Sequence, residues 1–116
     1  MEKGFYLKTC DTCNRIIKEI NLPEGYELQE IKTNHISETD LDLLKSKTGS
    51  YESLLNKRSR KYSTIKDKGL SDDELKFEIL NEYTFLKRPV FIFDETVFVG
   101  NAKKNIEELK TFLNER

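Results

Sequence analysis

The sequence predicts an α/β fold in which a βαβ unit and a ββα unit share one four-stranded mixed sheet, with a helical insertion between the two halves. Two observations lead to this prediction. Strand and helix patterns alternate at both ends of the chain, and the middle, about residues 37–84, carries helix-start signals instead. We expect a single domain over residues 1–116, because this length buries a core without metals or disulfides.

The first third is predicted to form a strand, a helix and a second strand. Residues 5–7 are apolar, and the segment after them has apolar residues at helical spacing, namely Cys13, Ile16, Ile17 and Ile20. A proline and a glycine then interrupt the pattern. Over residues 26–31, Tyr26 and Leu28 alternate with polar neighbours as in a half-buried strand.

Two capping signals predict the helices of the insertion. Ser37 followed by Asp40 resembles a capping box, and the helix that it starts should end at Gly49. Ser71 followed by Glu74 is a second such signal, and an apolar stripe follows it: Leu75, Ile79, Leu80 and Tyr83.

The last third is predicted to form two strands and a helix. Pro89 precedes the apolar strand 90–93, residues 94–95 form a turn, and residues 96–99 form the next strand. The final helix carries a stripe of apolar residues: Ile106, Leu109, Phe112 and Leu113. Together with the βαβ unit, this order is that of a thioredoxin-like fold.

Composition limits the classes of function. With 20 basic and 21 acidic side chains the formal charge is −1, so we expect neither nucleic acid nor an anionic membrane as a partner. No apolar run follows the charges of residues 1–4 and none has the length of a membrane span, so we expect a cytoplasmic protein. Two thiols and the lone His35 are too few for a structural zinc site, and we predict no metal.

The chemistry is predicted to lie in the segment Cys10-Asp11-Thr12-Cys13. Cys10 stands where a helix begins, and free backbone N–H groups and the positive end of the helix dipole stabilise a thiolate there. Cys13 lies one helical turn further, so it could attack a mixed disulfide formed on Cys10. Cys10 would then be the nucleophile and Cys13 the resolving thiol.

Two points stay open for this segment. Asp11 would oppose a lowered thiol pKa, whereas Lys8 and Arg15 would favour it, and the spacing does not decide between them. The alternative for Cys13 is a small buried residue on the apolar stripe of the helix, with no part in the chemistry.

Two basic segments are candidates for binding an anion. Residues 57–61 contain four cations, and Lys87 with Arg88 adds two more at the start of a strand. They are either solvated surface charges or an anion pocket, since guanidinium groups hold oxyanions and carboxylates by paired hydrogen bonds. For Arg88 we favour the pocket.

Four short segments resemble, in order, the motifs of the arsenate reductase ArsC family. They are Lys8-Thr9-Cys10-Asp11-Thr12-Cys13, Leu54-Leu55-Asn56-Lys57-Arg58, Lys87-Arg88-Pro89 and Val99-Gly100. The resemblance covers nearly the whole chain. It implies a thioredoxin-like fold and a cysteine at the position of Cys10 that attacks arsenate, while three arginines hold the oxyanion.

The resemblance also implies the binding residues. Among the three arginines only Arg88 matches, because Asn56 stands at the place of the first and Gly100 lies near the place of the third. Arg58 or Arg60 could supply the missing charge. The proline at the position of Pro89 is cis in such folds and lies against the active cysteine. The predicted substrate-binding residues are Thr12, Asn56, Arg58, Arg60 and Pro89.

We therefore predict a thiol-dependent oxidoreductase, with Cys10, Cys13 and Arg88 as catalytic residues and a small oxyanion or a disulfide as substrate. We expect a monomer without a bound cofactor, reduced by an external thiol such as glutathione, glutaredoxin or thioredoxin. The Leu-Leu-Asn segment is closer to the YffB-type branch. The Cys-x-x-Cys pair resembles the Spx-type regulators, so the alternatives are a redox-sensing regulator that binds RNA polymerase and an inactive member of the family.

Overall fold

The computed structural model describes residues 1–116, and its elements follow the predicted order. The strands are β1 (Glu2–Tyr6), β2 (Glu27–Glu30), β3 (Val90–Phe93) and β4 (Thr96–Val99). The α-helices are α1 (Asp11–Glu19), α2 (Glu38–Thr48), α3 (Asp72–Asn81) and α4 (Lys103–Glu115). The predicted α/β class is therefore confirmed.

The four strands form one mixed sheet in the order β2-β1-β3-β4. β1 runs parallel to β2 and antiparallel to β3, and β3 is antiparallel to β4. β1 begins at Glu2, three positions before the predicted start at Phe5, because Glu2 pairs with Phe93 and Lys3 with Ile92. Backbone pairing with a neighbouring strand, which a periodicity argument does not contain, sets this start.

The residues form two compact groups. The first contains residues 1–30 and 88–116, with the sheet, α1 and α4, and the second contains residues 31–87. In the first group, the apolar faces of the sheet and of both helices share a core made of Ile16, Ile20, Phe91, Phe93, Phe98, Ile106 and Leu109. None of the helices combines the length and the hydrophobicity that a membrane span requires.

The second group contains α2 and α3 together with three 3₁₀ turns, which span Glu52–Leu54, Arg60–Thr64 and Tyr83–Phe85. The predicted insertion, 37–84, lies inside this group, and the three turns within it were not predicted. That residues 1–116 act as one domain stays a prediction.

The helix ends in the second group follow the capping signals. Ser37 Oγ accepts a hydrogen bond from the Asp40 amide at 3.1 Å, and α2 ends at Gly49, whose φ is +97°. The capping box of α3 is complete, with 3.2 Å from the Glu74 amide to Ser71 Oγ and 3.0 Å from the Ser71 amide to Glu74 Oε1.

A tyrosine crosses the middle of the sheet. The Tyr26 hydroxyl donates to the Ile92 carbonyl at 3.0 Å and accepts from the Ile92 amide at 3.1 Å. Its ring passes over Gly4 of β1, where a Cβ would lie 3.1 Å from Tyr26 Cε2 and 2.9 Å from Leu28 Cδ2. Only glycine leaves this space at the centre of β1.

Candidate active site

Cys10 is the N-cap residue of α1. Its backbone is extended, and its Sγ accepts a hydrogen bond from the Cys13 amide at 3.4 Å. The turn that leads from β1 to Cys10 is held by a 2.9 Å bond from the Cys10 amide to the Leu7 carbonyl. The Asn14 side chain donates to the Lys8 carbonyl at 2.9 Å. The sulfur is therefore placed at the positive end of the helix by its own turn.

The pKa of Cys10 is lowered from its ordinary value. Partial burial by itself would raise it, but the hydrogen bonds from Cys13 and the charge and hydrogen bond of the Arg88 guanidinium outweigh burial. Cys10 is half-exposed, so a reactant can reach its sulfur. A thiol with these properties is suited to nucleophilic attack.

The surroundings of Cys13 are the opposite of those of Cys10. Its side chain is completely buried on the inner face of α1, and burial together with the neighbouring Cys10 raises the pKa of Cys13 to about 12. At neutral pH, Cys13 is therefore a protonated thiol that packs as an apolar residue and lies next to Cys10. Both interpretations of Cys13 in the sequence, resolving thiol and core residue, fit this position.

Arg88 and Pro89 lie at the start of β3. The peptide bond between them is cis, as the resemblance implied, and Pro89 is buried. The Pro89 carbonyl accepts a hydrogen bond from the Gly100 amide at 2.8 Å, and Gly100 has φ of +90°. The Lys-Arg-Pro and Val-Gly segments are thus in direct contact, which explains why a glycine follows β4.

The other predicted binding residues fall into both groups. Thr12 is the second residue of α1 and is half-exposed. The structure brings Cys10, Cys13 and Arg88 together. Asn56, Arg58 and Arg60 lie in the second group, residues 31–87.

The Asn56 side chain is engaged within the protein. Its Nδ2 donates to the Thr84 carbonyl at 3.2 Å, and its Oδ1 accepts from the Arg58 amide at 3.1 Å. Asn56 therefore shapes the turn that carries Arg58. Arg58 and Arg60 are both exposed and form no ion pair in the chain.

Sequence reasoning missed the residues that hold this turn. Ser59 Oγ lies 2.7 Å from Thr84 Oγ1, which donates to Glu82 Oε2 at 2.8 Å, and Lys61 Nζ donates to Glu82 Oε1 at 2.8 Å. No spacing rule connects positions more than 20 apart. The only local signal was Ser59, a typical cap residue directly before a turn.

No group of three or more His, Cys, Asp or Glu side chains comes close enough to hold a metal ion. The arrangement supports thiol chemistry, with one half-exposed thiol of lowered pKa, one buried neighbouring thiol and one guanidinium.

A family model described as the ArsC family matches residues 5–109. The chain belongs to the ArsC family. This is a family of thiol-dependent oxidoreductases, and the match includes all four motif segments. A comparison with curated proteins gave no significant match.

Solved structures resemble this ArsC-family chain over nearly its whole length. An arsenate reductase from Vibrio cholerae is 14% identical with a TM-score of 0.70, covering 97% of this chain and 96% of that one. A possible arsenate reductase from Streptococcus mutans is 23% identical with a TM-score of 0.75, covering 94% and 97%.

A protein named YFFB is 18% identical with a TM-score of 0.79, covering 97% of this chain and 99% of its own. These likenesses establish the fold and confirm that it is thioredoxin-like.

Proposed function

We propose that this ArsC-family protein is a thiol-dependent oxidoreductase in which the Cys10 thiolate attacks an anionic oxidised substrate, either a small oxyanion or a disulfide. The observation that carries the proposal is the position of the Cys10 sulfur. The sulfur accepts a hydrogen bond from the Cys13 amide at the start of α1 and contacts the Arg88 guanidinium. Together these two interactions lower the pKa of Cys10. Both features favour a thiolate near neutral pH.

With arsenate as the oxyanion, the chemistry takes two thiol steps. The Cys10 thiolate forms a bond to arsenic and one arsenate oxygen leaves as water after protonation. A second thiol then attacks the Cys10 sulfur, the sulfur–arsenic bond breaks, and its electron pair leaves with arsenic as arsenite. Two thiols are oxidised to a disulfide and arsenic(V) is reduced to arsenic(III).

The second thiol is Cys13 or an external one. Cys13 lies next to Cys10 but is buried and protonated at neutral pH, so its attack requires that its proton leave as the sulfur–sulfur bond forms. Glutathione, glutaredoxin or thioredoxin would supply the electrons that return the protein to its reduced state. This cycle fits the reducing cytoplasm and needs no resident cofactor.

We propose that Arg88 neutralises the negative charge of the substrate. Its guanidinium already contacts the attacking sulfur, so it can hold an oxyanion or a substrate carboxylate beside that sulfur. Thr12 would contribute a further hydrogen bond, and Pro89 would contact the substrate through its ring. A role of the exposed Arg58 and Arg60 in binding the anion stays a prediction.

The test compares the purified protein with Cys10→Ser, Cys13→Ser and the neighbouring control Thr9→Ser. Arsenate and a glutathione mixed disulfide are offered separately, and NADPH consumption through glutathione reductase is followed. We expect Thr9→Ser to retain turnover and Cys10→Ser to lose it with both substrates. Full turnover by Cys10→Ser would refute the proposal, and Cys13→Ser distinguishes an internal from an external resolving thiol.

The contact between the two thiols also favours a second function, a redox-sensing regulator that binds RNA polymerase. A Cys10–Cys13 disulfide would then report oxidation, with turnover incidental. Co-purification with RNA polymerase before and after oxidation, in wild type and Cys13→Ser, tests it. A complex that depends on oxidation only in the wild type supports the regulator. Absence of a complex together with turnover supports the enzyme, and absence of both supports an inactive family member.

A further inference from the structure

A cleft opens to solvent in the second group, beside the 3₁₀ turn Arg60–Thr64. Its volume is about 150 Å³, and all its lining residues lie between positions 52 and 75. A cavity of this size admits a benzene ring. The cleft can therefore hold one branched or aromatic side chain.

The floor of the cleft is apolar and its position is defined by backbone bonds. Leu55, Ile65, Leu70 and Leu75 form the floor, and Tyr62 provides an aromatic side. The Ile65 and Lys66 amides both donate to the Tyr62 carbonyl, at 3.0 Å and 2.9 Å. Because consecutive turns fix these residues, the cleft exists before any partner binds.

The rim of the cleft belongs to the most basic segment of the chain. Residues 57–68 contain six cations and one carboxylate, a net charge of +5, while the whole chain carries −1, so the remaining residues carry −6. Lys57 and Lys66 lie on the cleft itself. Like charges in one short segment repel each other, and an anionic partner lowers this repulsion.

Most of these cations have no counter-charge within the protein. Lys57 lies 3.5 Å from Glu52 and Lys61 lies 2.8 Å from Glu82. The other four are exposed and form no ion pair in the chain, namely Arg58, Arg60, Lys66 and Lys68. The surface around the cleft is thus apolar at its centre and cationic at its edge.

We propose that this cleft docks an acidic segment of a partner protein, with one apolar side chain in the cleft and flanking carboxylates on Lys57 and Lys66. An acidic peptide carries both features, an apolar side chain and carboxylates on the residues beside it. A nucleic acid fits less well, because the floor is aliphatic rather than a stacking platform. The proposal goes beyond the thiol chemistry and does not rest on it.

The test uses ¹⁵N-labelled Cys10→Ser protein, in which the proposed nucleophile is absent. It is titrated with a nine-residue peptide that has phenylalanine at its centre and four aspartates on each side. We expect saturable shifts confined to residues 52–75. A peptide with serine at the centre should bind roughly tenfold more weakly, because it leaves the apolar cleft empty.

Two charge-reversal variants complete the test. Lys57→Glu with Lys66→Glu should abolish peptide binding, whereas Lys103→Glu with Lys104→Glu, the same change of net charge on exposed positions of α4, should leave it unchanged. Equal affinity for the two peptides, binding retained after Lys57→Glu with Lys66→Glu, or tighter binding of a nine-nucleotide single-stranded DNA would each overturn the proposal.

Discussion

The Arg88 guanidinium lowers the pKa of the Cys10 thiol through its charge and a hydrogen bond, although the two residues are far apart in the sequence. Burial alone would raise the pKa of Cys10, and the opposing contributions come from the Cys13 N–H, the Cys13 thiol and Arg88. The anionic sulfur is thus supported by two hydrogen bonds from Cys13 and by one full charge. The charge can be removed by substitution of Arg88.

Arg88→Met should raise the pKa of Cys10, because it removes the charge and the hydrogen bond while keeping a long side chain. The measurement is the pH dependence of iodoacetamide labelling at Cys10, read by mass spectrometry. The labelling midpoint should move to higher pH in Arg88→Met and much less in Arg88→Lys, which keeps the charge. An unchanged midpoint in Arg88→Met would assign the lowered pKa to the Cys13 hydrogen bonds alone.

Cys13 should resist alkylation in the folded protein. With a pKa of about 12 and no exposed surface, only about one Cys13 in 10⁴ is a thiolate at pH 8. We expect iodoacetamide at pH 8 to label Cys10 and leave Cys13 unlabelled, whereas both are labelled in urea. Equal labelling of both thiols without urea would contradict the burial of Cys13.

Gly4→Ala should destabilise the protein by about 1–3 kcal/mol, as overpacked cores do. The new methyl would lie 2.9 Å from Leu28 Cδ2, closer than carbon atoms approach each other, and 3.0 Å from Phe91 Cδ1, which is a tight contact. Urea unfolding measures the loss. Adding Leu28→Ala should recover part of it, and simple additivity of the two changes would show that the methyl is accommodated elsewhere.

Glu82→Gln should lower stability at neutral pH by about 1–2 kcal/mol, the low end for hydrogen bonds to a charged group, because the Lys61 partner is exposed. Burial would raise the pKa of Glu82, but the bonds from Lys61 and Thr84 outweigh it and lower the pKa. A lowered carboxyl pKa contributes stability above the unfolded-state value of 4.5, and this contribution is lost as pH falls through the folded-state value.

The difference in the free energy of unfolding between wild type and Glu82→Gln should therefore be largest above about pH 6 and shrink as the pH falls below about 4.5. Glu24→Gln, at an exposed carboxylate without an ion pair, is the matched control and should have little effect at any pH. A difference for Glu82→Gln that does not depend on pH would show that its charge is not involved.

Much of the fold could be predicted because its signals are local. Ser71 and Glu74 form the capping box that their spacing predicts, and the strands around residues 94–95 lie where the apolar pattern places them. α3 was harder to end correctly. The apolar stripe continues to Tyr83, but the helix ends at Asn81 because the backbone of Glu82 is extended. The Glu82 carboxylate instead caps the next 3₁₀ turn by accepting a hydrogen bond from the Thr84 amide.

The candidate site was only partly predictable. The helix start at Cys10 follows from local spacing, and so does the proximity of Cys13. The contact with Arg88 depends on the path of the whole sheet, and only the family resemblance indicated it. The burial of Cys13 could be anticipated from the apolar stripe, whereas the bonds that use Asn56 within its own turn could not, since their partner Thr84 is distant in sequence.

Tyr26 lies directly before β2, and its side chain extends across β1 to the backbone of β3. β2 is a four-residue strand at the rim of the sheet, the kind of element that ordinarily frays first. Since its tyrosine holds the Ile92 amide and carbonyl, peeling β2 away also exposes the backbone of β3. Loss of β2 would therefore also break two hydrogen bonds to β3, and amide hydrogen exchange at Ile92 reports how often this happens.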